Sequence, residues 1–489
     1  MVERISAGIA GLDSILGGGF FKERAYMVSG GPGCGKTTLC LQFLAQCSDE
    51  PTLYITFDKS MEKIRWMAES LGLMPEKLVF EDLSPGDIEQ EAQDAFDVIP
   101  SSDLGLAPIL RKICDALDRH RPARVVIEPL SSLAALSPDA YQFRRQSQAL
   151  FNFIASRGAT LLFSSEATDG EHSTQGGSEL NFIADGIVTL ARMGQGRSIR
   201  VSKHRGSTFS AGNHFMKLTS SGMRVYPRMV PSDHSQAVTS RQITTDIPAL
   251  NDMLNGGMHT GSMIIIAGPT GVGKTTLGMQ FVCAAAKRGE RALVFCFEES
   301  EQTVLSRCER LHLPAAQLTE AGDLQVQTIE PMRFSPDELA QSIRQQIEEH
   351  DIRTVMIDGS SGYKVSVENL AVDGEDVNNR LHALCRYLVS AGVSTILVNE
   401  TPHISSENVS AADPSMNYLS DTLIMLRYIE VKSELRKTIG VIKNRVGDFA
   451  KTLHRFDITD EGLQVGPPLH GLSGILRGQP IQIDPDTGS

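Results

Sequence analysis

Short apolar runs recur through the first half of the chain: AYMVS at 25–29, TLYITF at 52–57, RVVIE at 124–128 and TLLFSS at 160–165. Between them lie longer stretches whose apolar residues fall three and four apart, such as KTTLCLQFLAQC from Lys36 and PILRKICDALDRH from Pro108. A near-continuous apolar run reads as a strand covered on both faces, and the longer period as a helix with one apolar side. Strands alternating with helices predict an α/β domain, a largely parallel sheet between helical layers. The segments that close each half, IRVSKHRG to MRVYP and TIGVIKNRVG to LQVG, read as antiparallel hairpins appended to that sheet.

The whole pattern occurs twice. Ile5–Phe43 aligns without a gap on Ile243–Phe281. LYITFDKS from Leu53 then matches LVFCFEES from Leu293, and RVVIEPLSSL from Arg124 matches RTVMIDGSSG from Arg353. KHR at 203–205 matches KNR at 443–445, and LTSSGMRV from Leu218 matches ITDEGLQV from Ile458. Matches kept in order across the full span imply two homologous domains, expected at 1–228 and 243–489. The stretch Tyr226–Gln242 between them has prolines, many polar residues and no apolar period, so it reads as the linker. Length alone would have suggested about three domains.

Each domain carries G-x-x-x-x-G-K-[ST] after an apolar strand and before a helix: GGPGCGKT at 30–37 and GPTGVGKT at 268–275. Glycines let backbone N–H groups wrap a β-phosphate, and the helix N-terminus adds positive potential. The cradle is formed by Gly31, Gly33, Cys34, Gly35, Lys36, Thr37 and Thr38, and in the second half by Thr270, Gly271, Val272, Gly273, Lys274, Thr275 and Thr276. The lysines reach the β/γ-phosphates and Thr37 and Thr275 ligate Mg2+, so ATP and Mg2+ are the expected ligands. Hydrolysis also needs an acid that orients and deprotonates water. Glu298 and Glu299 fit in the second half; in the first the same positions are Asp58 and Lys59, one carboxylate fewer. Paired acids after a strand are more often solvated end-caps, but the repeat context reverses that judgement. The Walker B acid that holds Mg2+ through water is Asp358, and in the first half Glu128, one methylene longer. Ser165-Glu166 and Asn399-Glu400 end the next strands and are candidate γ-phosphate sensors.

Lys203 and Arg205, like Lys443 and Arg445, stand two residues apart on a ribbon and so share a face. Such a pair reaches a neighbouring subunit's phosphates more easily than its own P-loop. The competing reading is a basic edge that discourages strand pairing; recurrence in both halves favours the first. With 46 Lys+Arg against 59 Asp+Glu, the net charge of −13 argues against a broad nucleic-acid-coating surface. The eight cysteines form no CxxC pair and read as reduced thiols. No run of roughly 18 apolar residues predicts a membrane span, and a cytoplasmic chain is expected.

Together the opening ISAGIAGLDSILGG, the two P-loops, FEE at 297–299, the K-x-R ribbons and SDTLIMLRYIEVKSELRKTIGVIKNR from Ser420 closely resemble the KaiC family of double-domain circadian clock ATPases. The resemblance covers nearly the whole chain. It implies two tandem RecA-like P-loop domains in a two-tiered homohexamer, with ATP at the subunit interfaces and, in clock members, autophosphorylation by the C-terminal ring. It also implies that Glu298 and Glu299 are the catalytic pair and Lys443 and Arg445 trans-acting contacts. Two departures stand out. The adjacent Ser-Thr acceptors of clock members are here Asn417 and Tyr418, and the tail after SGILRGQPIQID is shorter than the tail that recruits the KaiA activator. An ATPase with a regulatory or signalling output, read by a partner protein, is therefore expected in place of an oscillator. The other readings are a RecA- or helicase-like DNA-dependent motor, which the acidic charge disfavours, and a nucleotide-gated scaffold in which turnover is incidental.

Overall fold

The computed structural model describes residues 3–57, 61–83, 106–166, 175–193, 196–229, 241–330, 333–368, 377–401, 420–431, 433–470, 472–473 and 481–482. The chain divides into two compact units, Met1–Arg228 and Met229–Ser489. Most of the expected linker, 230–240, lies outside the described residues.

The first unit is built on a nine-stranded sheet of β1 Ala25–Gly30, β2 Thr52–Thr56, β3 Leu78–Asp82, β4 Arg124–Glu128, β5 Thr160–Glu166, β6 Gly186–Met193, β7 Gly196–His204, β8 His214–Thr219 and β9 Gly222–Tyr226. The strand order is β9-β8-β7-β6-β1-β5-β4-β2-β3. Strands β1 to β6 are mutually parallel, and β7, β8 and β9 extend them as an antiparallel ribbon. The main helices are α1 Lys36–Ala45, α2 Met61–Ser70, α3 Ala107–His120, α4 Ala140–Ser156 and α5 Gln175–Ile183.

The second unit repeats this order. Its strands are β10 Met263–Gly268, β11 Ala292–Cys296, β12 Leu324–Thr328, β13 Thr354–Asp358, β14 Ser394–Glu400, β15 Thr422–Val431, β16 Glu434–Asn444, β17 His454–Thr459 and β18 Gly462–Pro468. They lie β12-β11-β13-β14-β10-β15-β16-β17-β18, so each strand takes the place of the one nine earlier. The main helices are α6 Lys274–Ala286, α7 Glu301–Arg310, α8 Pro336–His350, α9 Ser360–Glu368 and α10 Val377–Ser390. Each half is thus a mostly parallel sheet flanked by helices and closed by an antiparallel ribbon, a tandem RecA-like α/β architecture.

Alternation along the strands explains the layers. Tyr26 and Val28 of β1 pack with α1 and α2 on one face, whereas Ala25 and Met27 pack with α3 and α4 on the other. In β10, Ile264 and Ile266 face α6 and α7, while Met263 and Ile265 face α8 and α10. The strand feeding each P-loop is therefore apolar on both sides and central in its sheet, which fixes where the loop after it begins. On the α8–α10 side, Arg380 donates to Asp337 Oδ1 at 2.7 Å, with side chains only 7% and 5% exposed. All eight cysteines are free thiols, and among the described residues no helix is long and apolar enough to cross a membrane.

Candidate active site

Each P-loop turns directly from strand to helix. The residue before the helix is Gly35 or Gly273, at φ 105° and 114°, where a side chain would be strained. A Cβ at Gly273 would also lie 2.4 Å from Ile458 Cδ1, so that side chain would have to shift. Cys34 and Val272 are buried and anchor the loop from beneath. Lys36 and Thr37, Lys274 and Thr275 thus stand in the first turn of α1 and α6, where free backbone N–H groups face outward.

Each lysine folds back over its own loop. Lys36 Nζ donates to Gly30 O at 2.6 Å and Gly31 O at 3.0 Å, and Lys274 Nζ to Pro269 O at 2.9 Å. Burial lowers the Lys274 pKa from 10.5, while Glu400, Asp358 and Glu298 nearby act in the opposite sense. An amine held among carbonyls and carboxylates can exchange those partners for phosphate oxygens.

The Walker B acids meet the P-loop threonines in both halves. Thr37 Oγ1 donates to Glu128 Oε1 at 2.7 Å, so the extra methylene does not prevent contact. Glu128 is 1% exposed, and its other oxygen accepts the Tyr54 hydroxyl, a partner absent from the sequence reading. Asp358 is hydrogen-bonded by Thr275, yet burial dominates and pushes its pKa up from 3.8 to about 6. The Glu299 and Glu298 charges add to the rise; Arg307 opposes it. A hydroxyl and a carboxylate side by side form a hard-oxygen set that suits Mg2+ once phosphate oxygens complete it.

In the second unit a cavity of about 550 Å3 opens over the loop. Its walls include Thr270, Gly271, Gly273, Lys274, Thr275 and Thr276 from the loop and helix, Glu298 and Glu299 after β11, Asp358 ending β13, and Glu400 ending β14. The two acids of the expected catalytic pair differ. Glu298 is exposed at the cavity wall, whereas Glu299 is paired with the Arg307 guanidinium from α7. Arg307 and Arg310, one helical turn apart, and Lys437 from β16 also line the cavity; no motif pointed to them. Glu400 accepts from the Thr270 hydroxyl, and Asn399 from Ser360 Oγ at 2.5 Å. In the first unit Glu166 is exposed, its backbone N–H donating to Ser131 Oγ at 3.2 Å. Asp58 and Lys59 lie outside the described residues, as do Asn417 and Tyr418.

Neither cationic ribbon pair turns onto its own P-loop. Lys203 Nζ donates to Asn181 O at 2.8 Å and Arg205 Nη2 to Phe182 O at 2.9 Å, so both cap the C-terminal end of α5. Lys443 Nζ donates to Ser420 O at 2.5 Å, and neither Lys443 nor Arg445 lines the second cavity. Burial and the adjacent arginine lower the pKa of both lysines.

The family profile described as "ATPase: KaiC" matches this chain twice, over residues 5–230 and 243–470. The circadian clock oscillator protein KaiC of Acaryochloris marina is 26% identical over 99% of this chain and 92% of its own length. The KaiC of Synechococcus elongatus is 26% identical over 100% and 94%. The circadian clock protein KaiC3 of Synechocystis sp. is 26% identical over 98% and 95%.

Proposed function

The chain belongs to the KaiC ATPase family, and from that premise we propose that it binds and hydrolyses ATP at two unequal sites. The sites lie in a homohexameric ring whose output is regulatory and read by a partner protein. One observation carries the reading: a single cavity brings together Lys274, Thr275, Asp358, Glu298 and Glu400 from four separate segments around a P-loop. Loop amides and Lys274 bind the β- and γ-phosphates. Mg2+, when bound beside Thr275, supplies neutralisation of phosphate charge. Asp358 accepts a hydrogen bond from the Thr275 hydroxyl and so keeps the hydroxyl lone pairs directed at the nucleotide side. Glu298, exposed at the wall, takes the proton of the attacking water. Glu299 is engaged by Arg307 and orients the segment instead of serving as a second base.

The first site keeps Lys36, Thr37 and Glu128, so it holds nucleotide, but Lys59 stands where Glu299 orients the segment that carries the base in the second. Its slower turnover makes it chiefly an assembly element, and the C-terminal site is the better hydrolase. Lys203, Arg205 and Lys443 exchange the carbonyls they now hold for the phosphates of a neighbouring subunit, Arg445 reaching the same phosphates beside Lys443, which ties ring formation to ATP. With Asn417 and Tyr418 at the acceptor positions, no Ser-Thr phosphorylation cycle accompanies turnover.

Steady-state ATPase and light scattering on Glu298→Gln/Glu299→Gln and on Lys36→Ala test this division. The double variant is expected to lose most turnover and keep the ATP-dependent ring, and Lys36→Ala to weaken the ring. Full turnover in the double variant with none in Lys36→Ala would reverse the assignment. A monomer at micromolar concentration in saturating Mg-ATP would refute the ring.

A further inference from the structure

Glu128 is a fully buried acid with one more rotatable bond than its counterpart Asp358, yet it is held by a hydroxyl on each oxygen. Thr37, at the start of α1, takes Oε1, and Tyr54, in the middle of β2, takes Oε2. Neighbouring strands β2 and β4 pair with Thr56 opposite Glu128, so Tyr54 lies two residues back along the same face. Tyr54 is itself 0% exposed within the apolar layer beneath α1. In the second half the strand position equivalent to Tyr54 is Val294, equally buried and without a hydroxyl, and the acid is the shorter aspartate. The two positions thus differ together: Tyr with Glu, Val with Asp.

A buried carboxylate on a longer arm has more rotamers that turn it from the nucleotide, and each of its oxygens needs a donor. The structure assigns to Tyr54 the role of a positioning residue for the first nucleotide site. Its phenol fixes one Glu128 oxygen so that the other stays on Thr37, facing the place where Mg-ATP binds. The Tyr–Glu pair then does in the first half what aspartate alone does in the second. This rests on the reading of the first P-loop as an Mg-ATP site.

The test uses the full chain in a Lys274→Ala background, which isolates the first site, and a fluorescent ATP analogue titrated with excess Mg2+ or with EDTA. Tyr54→Phe is expected to lose about tenfold of the Mg2+-dependent gain in affinity, the scale of one hydrogen bond to a charged group, with affinity in EDTA changed less than twofold. Glu128→Asp added to Tyr54→Phe is expected to recover the gain to within about threefold of the parent. Glu128→Asp alone strands the buried phenol and is expected to bind worse than the double variant, a comparison that stands even if Tyr54→Phe folds poorly. An unchanged Mg2+ gain in Tyr54→Phe, or a double variant no better than either single one, overturns the assignment. If the Lys274→Ala parent shows no Mg2+-dependent binding at all, the first-site reading falls and this role falls with it.

Discussion

Asp358→Asn should stabilise the nucleotide-free second unit while impairing its site, because the carboxylate is charged at neutral pH in a place that disfavours charge. Burial lifts its pKa from 3.8 to about 6, ahead of the neighbouring Glu299 and Glu298 charges. Between those two values the folded state binds more protons than the unfolded chain, so stability falls as pH rises through this window. Below it Asp358 is protonated in both states and costs nothing extra; above about pH 6 the full penalty applies. That displacement corresponds to about 3 kcal/mol at most. Asparagine keeps an oxygen for the Thr275 hydroxyl and removes the charge. The only tryptophan, Trp66, sits in the first unit, so its fluorescence would follow the wrong half. Hydrogen exchange read by mass spectrometry on peptides covering Thr354–Asp358, in EDTA and without nucleotide, reports the right one. The variant should be protected about 1–3 kcal/mol more than the parent at pH 8, with the gap closing toward pH 4. A gap that is absent or reversed at pH 8, or independent of pH, would refute the reasoning.

Other expectations follow from contacts described above. Arg307→Ala removes a cation that favours the charged form of Asp358, so the acid limb of kcat/KM should move to higher pH; an unmoved limb would contradict this. Arg380→Met leaves Asp337 charged in the core and should cost about 3–5 kcal/mol in urea unfolding, whereas replacing both partners by apolar residues should cost much less. After incubation with Mg-ATP, intact mass spectrometry should show no added phosphate; a phosphate on Tyr418 that vanishes in Glu298→Gln would overturn that.

Features tied to local sequence were the legible ones. A P-loop is eight consecutive residues, so its place after β1 and β10 followed from the pattern alone, as did the parallel core and the closing ribbons. The acids that end β4 and β13 were legible because each closes an apolar strand. Partnerships between distant segments were not. Tyr54 and Glu128 stand 74 residues apart, and only the pairing of β2 with β4 sets one beside the other. The exchange of Val for Tyr between the repeats was the available signal, and it looked like ordinary variation in a buried strand. Likewise, nothing in EQTVLSRCER distinguishes Arg307, on the face of α7 toward Glu299, from a solvated helix arginine.

A chain that carries the same nine-strand order twice supplies its own folding with a wrong partner, since an outer strand of one copy is shaped like its counterpart in the other. Three of the four outer strands carry features that resist such exchange. β3 ends in Glu81 and Asp82, β9 carries exposed Arg224, and β18 ends in Pro467 and Pro468, which have no N–H to offer another strand. Order of synthesis adds a second safeguard. The first sheet's last strand ends at Tyr226 and the second sheet's first begins at Met263, so every strand of the first copy is synthesised before any of the second and can fold first.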